Sequence, residues 1–169
     1  MENLLNNKKA EDHYNYGNNL FEQQKFDKAL EEYTKALKLY PKYFDALVNK
    51  ANCLTYMNQP EVAIPLYNEA QLIKENDFDV YFNRGVAYFI LEDYPNALND
   101  FNRSIEINPD DLIVHFNKGS LLGRTGEYAK AILEFENCIN MDPNFEEAKL
   151  SKEIALEELK KEEDGNLES

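Results

Sequence analysis

Tyr81-Phe82-Asn83-Arg84-Gly85-Val86-Ala87-Tyr88, followed by Ser104-Ile105-Glu106-Ile107-Asn108-Pro109, is the stretch whose reading decides the fold. Its pattern of small and aromatic residues returns whenever the chain is shifted by 34 residues. Gly85 has counterparts in Gly17, Ala51 and Gly119. Ala97 has them in Ala29, Ala63 and Ala131, and Ser104 in Ala36, Ala70 and Cys138. An apolar column runs through Leu20, Leu54, Tyr88 and Leu122, and an aromatic one through Tyr33, Tyr67, Phe101 and Phe135. With Ala10 as position 1, four in-register units follow at 10–43, 44–77, 78–111 and 112–145. Internal repetition at a period of this size is the signature of stacked supersecondary units.

Within a unit, positions 4, 8 and 11 share one arc at about 100° per residue, and positions 20, 24 and 27 share another, so each unit reads as two helices. Small residues at positions 8 and 20 let the helices approach, with the aromatic at 24 packed between them. Turns are expected near positions 14 to 17, as in Asn58-Gln59-Pro60 and Thr125-Gly126-Glu127-Tyr128. Pro95 suits the start of a helix, where its missing N–H costs nothing. Pro41, Pro109 and Pro143 stop three of the second helices. The second unit departs: Glu75 stands in place of that proline, and Pro65 falls inside the second helix, predicting a kink or a late start. Residues 1–9 read as a flexible lead-in, 146–161 as a capping helix carrying Ala148, Leu150, Ile154, Ala155 and Leu159, and 162–169 as a frayed acidic tail.

The chain has 169 residues, and 18 Lys and Arg against 32 Asp and Glu give a formal charge of −14. Such a balance repels phosphate backbones and anionic lipid surfaces, so neither nucleic acid nor membrane is an expected partner. A 43% apolar and 12% aromatic content is too high for a disordered tail. No uncharged apolar run is long enough to span a bilayer, and the first residues lack the pattern of a signal or transit peptide, so a cytoplasmic location is expected. Cys53 and Cys138 are expected as small core residues, without disulfide or metal role. His13 and His115 both occupy position 4, facing the partner helix, and lie three units apart. No phosphate loop, nucleophile with its base, or metal-ligand cluster is present in the sequence, so no enzyme activity, cofactor or metal is expected.

These columns resemble the tetratricopeptide repeat, over residues 10–145. The resemblance implies an all-α, right-handed superhelix of four helical hairpins with a capping helix, and a concave groove lined by positions 2, 6, 9 and 13 of each first helix, with position 5 beside them. Position 6 is Asn15, Asn49, Asn83 and Asn117, and position 9 adds Asn18 and Asn52. A carboxamide offers donors and an acceptor, so one at each step suits the backbone of an extended peptide. Asparagine at these positions is also common in generic repeats, and that reading stays open beside the first. Tyr14, Phe82 and Phe116 at position 5, with Tyr56 and Phe89 nearby, are expected either to border the groove as anchors for apolar side chains or to pack between repeats. Glu11, Asp45 and Asp79 at position 2 make the groove negative to neutral, so a neutral or basic segment is favoured, and Arg124 is the evident inward cation.

The family's best-known ligand is the acidic carboxyl terminus of cytosolic heat-shock chaperones. Its clamp needs Lys at position 5 and Asn at 9 of one unit, Asn at 6 of the next, then Lys at 2 and a basic residue at 6 of the third. This chain supplies Tyr14, Asn18, Asn49, Asp79 and Asn83 in one register, and Val48, Asn52, Asn83, Ile113 and Asn117 in the other. The amides match and every cation is missing, so a co-chaperone role is disfavoured. The expected function is a non-enzymatic adaptor or scaffold holding an extended peptide. The alternative is a structural subunit docked through its ends or convex face, and in either case the chain is expected alone as a monomer or within a complex.

Overall fold

The computed structural model describes residues 2–167, with side chains from Leu4 to Asp164. Nine helices, and no strand, occur among the described residues: α1 Glu2–Glu22, α2 Phe26–Leu39, α3 Phe44–Tyr56, α4 Pro60–Ile73, α5 Phe78–Ile90, α6 Tyr94–Ile107, α7 Leu112–Arg124, α8 Tyr128–Met141 and α9 Glu146–Leu167. They form two compact units, one ending at Glu92 and the other beginning at Asp93. In the first, α1 packs on α2 and α3 on α4, with α2 against α3 and α4 against α5. In the second, α6 packs on α7, α7 on α8 and α8 on α9.

The small-residue columns explain the hairpins. Gly17 faces Tyr33 so closely that an added Cβ would lie 2.7 Å from a ring carbon, and Gly119 faces Phe135 at the same 2.7 Å. Tyr33, Tyr67, Phe101 and Phe135 are each no more than 3% exposed, and burying such a side chain is worth roughly 1.5–3 kcal/mol. Ala29, Ala63, Ala97 and Ala131 are fully buried.

Three of the first helices, α1, α3 and α7, stop in the same way. Lys25, Gln59 and Glu127 N–H groups reach back to the carbonyls of Leu20, Leu54 and Leu122, the six-to-one bond of a Schellman turn. The residue before each of these is left-handed: Gln24 at φ 57°, Asn58 at 57° and Gly126 at 80°, with Glu92 at 58° in the third repeat. All four stand at position 15, and only the fourth repeat fills it with glycine. First helices then restart on Asp77 and Asp111, whose Oδ1 atoms accept from Val80 N and from Ile113 and Val114 N.

Two expectations are corrected, and one of two alternatives for α4 is excluded. Residues 2–9 are not a flexible lead-in but the first turns of α1. Nothing in that stretch is Pro or Gly, and Ala10, packed with Ala36 and Ala46, anchors the helix just beyond it. At the other end α9 runs past residue 161 to Leu167, helped by i,i+3 pairs such as Lys161 with Glu158 at 2.5 Å. Met1, Glu168 and Ser169 lie outside the described residues. Finally, α4 does not begin late. It starts at Pro60 and spans 14 residues, as α2, α6 and α8 do. Pro65 and Glu61 are both exposed, so the bond lost at Pro65 lies away from the core, and the helix keeps its full length around it.

The left-handed turns give a direct expectation. Gly126→Ala places a Cβ in the left-handed region and lowers unfolding free energy by about 1 kcal/mol, whereas Gln24→Gly raises it by a few tenths to about 1 kcal/mol. Urea denaturation followed by circular dichroism measures both.

Candidate functional site

The first-helix stripe of the first unit builds a cavity of about 190 Å³ lined by Asn18, Phe21, Glu22, Tyr33, Asn49 and Asn52. Its amides are fixed by the packing beneath them. Tyr33, held against Gly17, donates its hydroxyl to Asn18 Oδ1 at 2.9 Å. Asn49 Nδ2 donates to the same oxygen at 2.9 Å and to the Tyr14 hydroxyl at 3.2 Å. One repeat on, the Tyr67 hydroxyl donates to Asn52 Oδ1 at 2.7 Å. These bonds occupy the carbonyl of Asn18 and the NH₂ of Asn49. They leave the NH₂ of Asn18 and the carbonyl of Asn49 for a ligand, a donor and an acceptor on adjacent helices. Burial pushes the phenols of Tyr33 and Tyr67 up, so both hydroxyls stay protonated as donors.

The other expected residues divide. Asn15 is exposed and outside the cavity lining, and Asn83 is half-buried on α5. Asn117, in the second unit, donates its Nδ2 to the Ile113 carbonyl of its own helix at 2.8 Å. Asp45 and Asp79 are exposed. Tyr56 is 70% exposed yet stacks on Phe26 with centroids 5.8 Å apart and meets Phe21 edge-on at 5.4 Å, so three rings form one apolar shelf beside the cavity. Phe82 stacks on Phe78 at 6.0 Å, and Phe89 is half-buried.

Tyr14 and Phe116 each pack against two other rings. Tyr14 lies 6.1 Å from Tyr33 and 5.0 Å from Tyr43, while Phe116 lies 5.8 Å from Phe135 and 5.0 Å from Phe145. In both repeats the position 5 ring fills the gap between rings at 24 and 34, which is packing within the hairpin. Arg124 is also engaged: its Nε donates to the Tyr94 hydroxyl at 3.1 Å, with the guanidinium 5.8 Å from that ring.

Phe21, Phe26 and Glu22 were not singled out from sequence, and Tyr33 only as a packing aromatic. The signal for Tyr33 was present: where position 24 is Tyr, position 9 is Asn (Asn18, Asn52), and where it is Phe, position 9 is Val86 or Ser120. The histidines follow a similar rule. His13 Nδ1 meets Glu32 Oε2 and His115 Nδ1 meets Glu134 Oε2, both at 2.6 Å and both from position 4 to position 23. His115 Nε2 also donates to the Pro109 carbonyl at 3.0 Å, as the Tyr81 hydroxyl donates to the Glu75 carbonyl at 2.9 Å. In the third and fourth repeats, position 4 thus ties the first helix to the connector before it, with or without the proline. Burial pushes the Cys53 and Cys138 thiols up to about 11, with Cys53 Sγ facing the Phe26 carbonyl at 3.2 Å, so neither is a ready nucleophile. No helix among the described residues is long and apolar enough to cross a membrane.

Models of the tetratricopeptide repeat match residues 10–43, 78–111 and 113–145. No curated protein sequence matches the chain. Among solved structures, the MamA protein is similar at 23% identity with a TM-score of 0.82, covering 89% of this chain and 82% of that one. YrrB, described as a TPR protein with an unusual peptide-binding site, is similar at 23% identity and TM-score 0.73, over 85% of this chain and 74% of its own. The first TPR of Spaghetti (RPAP3), bound to the HSP90 peptide SRMEEVD, is similar at 26% identity and TM-score 0.67, over 68% of this chain and 91% of its own.

Two outcomes follow from the bonds described. Tyr33→Phe deletes the hydroxyl that Asn18 accepts and lowers stability by about 0.5–1.5 kcal/mol in chemical denaturation. For Glu32 and Glu134, burial alone would raise the carboxyl, but the Lys35 and His13, and the Lys118 and His115, partners outweigh it and hold each below the ordinary 4.5. A depressed native value means stability that is present above 4.5 and lost as pH falls through the lowered values. Thermal midpoints should therefore drop on acidification through that window, and Glu134→Gln should flatten the drop.

Proposed function

The chain belongs to the tetratricopeptide-repeat family, and on that premise we propose that it is a non-enzymatic interaction module that holds an extended peptide along the stripe of its first helices. The observation that carries this is the Asn18–Asn49–Asn52 cluster, in which hydrogen bonds from Tyr33 and between the two helices leave a donor and an acceptor facing one cavity. Amides held in place lose little freedom on binding, so more of each hydrogen bond contributes to affinity. The shelf of Phe21, Phe26 and Tyr56 beside the cavity suits an apolar side chain. Exposed Asp45 and Asp79 and the charge of −14 favour neutral or basic segments and a cytoplasmic protein partner.

Replacing Asn49 and Asn52 by Ala, with folding checked by circular dichroism, should weaken peptide capture about tenfold, since each bond contributes about 0.5–1.5 kcal/mol. Capture left intact by the folded variant would sink the groove reading. It would favour docking through the ends or convex face, where Leu4, Leu72, Leu133 and Leu150 are between 59% and 85% exposed.

The cations of the chaperone-tail clamp are absent at Tyr14, Asp79 and Asn83. Each charge-assisted bond is worth about 1.5–3 kcal/mol, so isothermal titration with the peptide SRMEEVD should show no low-micromolar binding.

A further inference from the structure

Gly123 has no structural reason to be glycine. Gly17 and Gly119 are required by rings 2.7 Å from where a Cβ would stand, and Gly126 by its φ of 80°, but a Cβ on Gly123 would meet nothing within 4 Å. The residue is the penultimate one of α7, in the last turn of the helix. Beside it opens a cavity of about 360 Å³, within the size range of ligand pockets, with the buried Phe135 at its base, Tyr128 and Ile154 around it, and Arg124 and Glu158 also in its lining.

The repeat itself says what fits there. Gly123 stands at position 12, where the first repeat has Phe21. Phe21 packs edge-on against Phe26, at position 17, with centroids 5.3 Å apart. In the fourth repeat position 17 is again aromatic, Tyr128, while position 12 is empty and Glu158 takes the place that Tyr56 holds beside Phe21. We infer that the Gly123 cavity is a receptor for one aromatic side chain of a bound peptide. The incoming ring takes against Tyr128 the place that Phe21 takes against Phe26. Glu158, paired with Lys161 at 2.5 Å but with a side chain 39% exposed, gives a carboxylate for a flanking cation. The inference rests on the peptide-capture reading and adds to it which side chain is read, and where.

The test is a titration of the ¹⁵N-labelled full chain with two capped peptides, Ser-Lys-Phe-Lys-Ser and Ser-Lys-Ser-Lys-Ser, following backbone amides. The Phe peptide should shift Gly123, Ser151 and Ile154 saturably, and the Ser peptide should bind about tenfold or more weakly, the preference expected for burying one ring. Gly123→Phe fills the cavity from within. It should keep or raise the thermal midpoint and abolish the preference, whereas Gly123→Ala should keep most of it. Equal binding of both peptides, with shifts at Asn49 and Asn52 but none at Gly123, would overturn the receptor and leave groove capture standing. Absence of shifts in either unit up to about 10 mM peptide would overturn both. Shifts at Ile154 that grow with protein concentration alone would make a second copy the occupant and also overturn the receptor.

Discussion

The contact on which each described hairpin depends is that between the aromatic ring at position 24 and the small residue at position 8. At Gly17 and Gly119 the ring lies so near the facing backbone that no Cβ fits without displacing it. This fixes the distance between the two helices and, because the ring is long, fixes where its far edge emerges. In Tyr33 and Tyr67 that edge carries a hydroxyl, and it emerges at position 9, where Asn18 and Asn52 accept from it. The interaction that closes the core is therefore also the one that aims the amides. A change that loosens the ring acts on the candidate site through the hydroxyl, without touching any residue that a ligand would meet.

A second set of contacts, at positions 4 and 23, holds the hairpins from the side. His13 with Glu32 and His115 with Glu134 pair a ring nitrogen with a carboxylate, and lysines complete the carboxylates' partners. The Glu134 side chain is 13% exposed, so these are charges removed from much of their water, and their partners are what make that tolerable. Tyr81, at the same position in the third repeat, donates to the Glu75 carbonyl as His115 does to that of Pro109, so the two connectors are held alike although only one contains proline.

Much of the fold was legible because its determinants are periodic. A 34-residue shift exposes the columns, and the columns imply two helices per unit. What was not legible falls where the period says nothing. Residues 2–9 and 162–167 lie outside the four copies; the first stretch has no Pro or Gly, and the second continues a helix carrying local pairs such as Lys161 with Glu158. Pro65 was read by its general rule as a kink or a late start, and the start at Pro60 excludes the late start. In the site, residue type alone identified the asparagines but not their state. Whether Asn117 faces outward or bonds the Ile113 carbonyl is a matter of rotamer, and whether Tyr14 is an anchor or a filler depends on Tyr43, which lies at the far end of the unit.

In a repeat protein, selection of a partner has to come from departures from the period, since positions that close the hairpin admit few residues. Position 24 is aromatic in all four units because the helix spacing demands it. Positions 9, 12 and 13 are under no such demand, and there the units diverge: Asn18, Phe21 and Glu22 in the first, Ser120, Gly123 and Arg124 in the fourth. The first combination is an amide cluster whose apolar space is already filled by its own ring. The second offers fewer hydrogen bonds and an open apolar space. In repeat proteins each copy interacts chiefly with its neighbours, so such differences change binding chemistry locally. Backbone capture at one step and side-chain recognition at another is the division of labour that this arrangement of identical scaffolds and unequal surfaces supports.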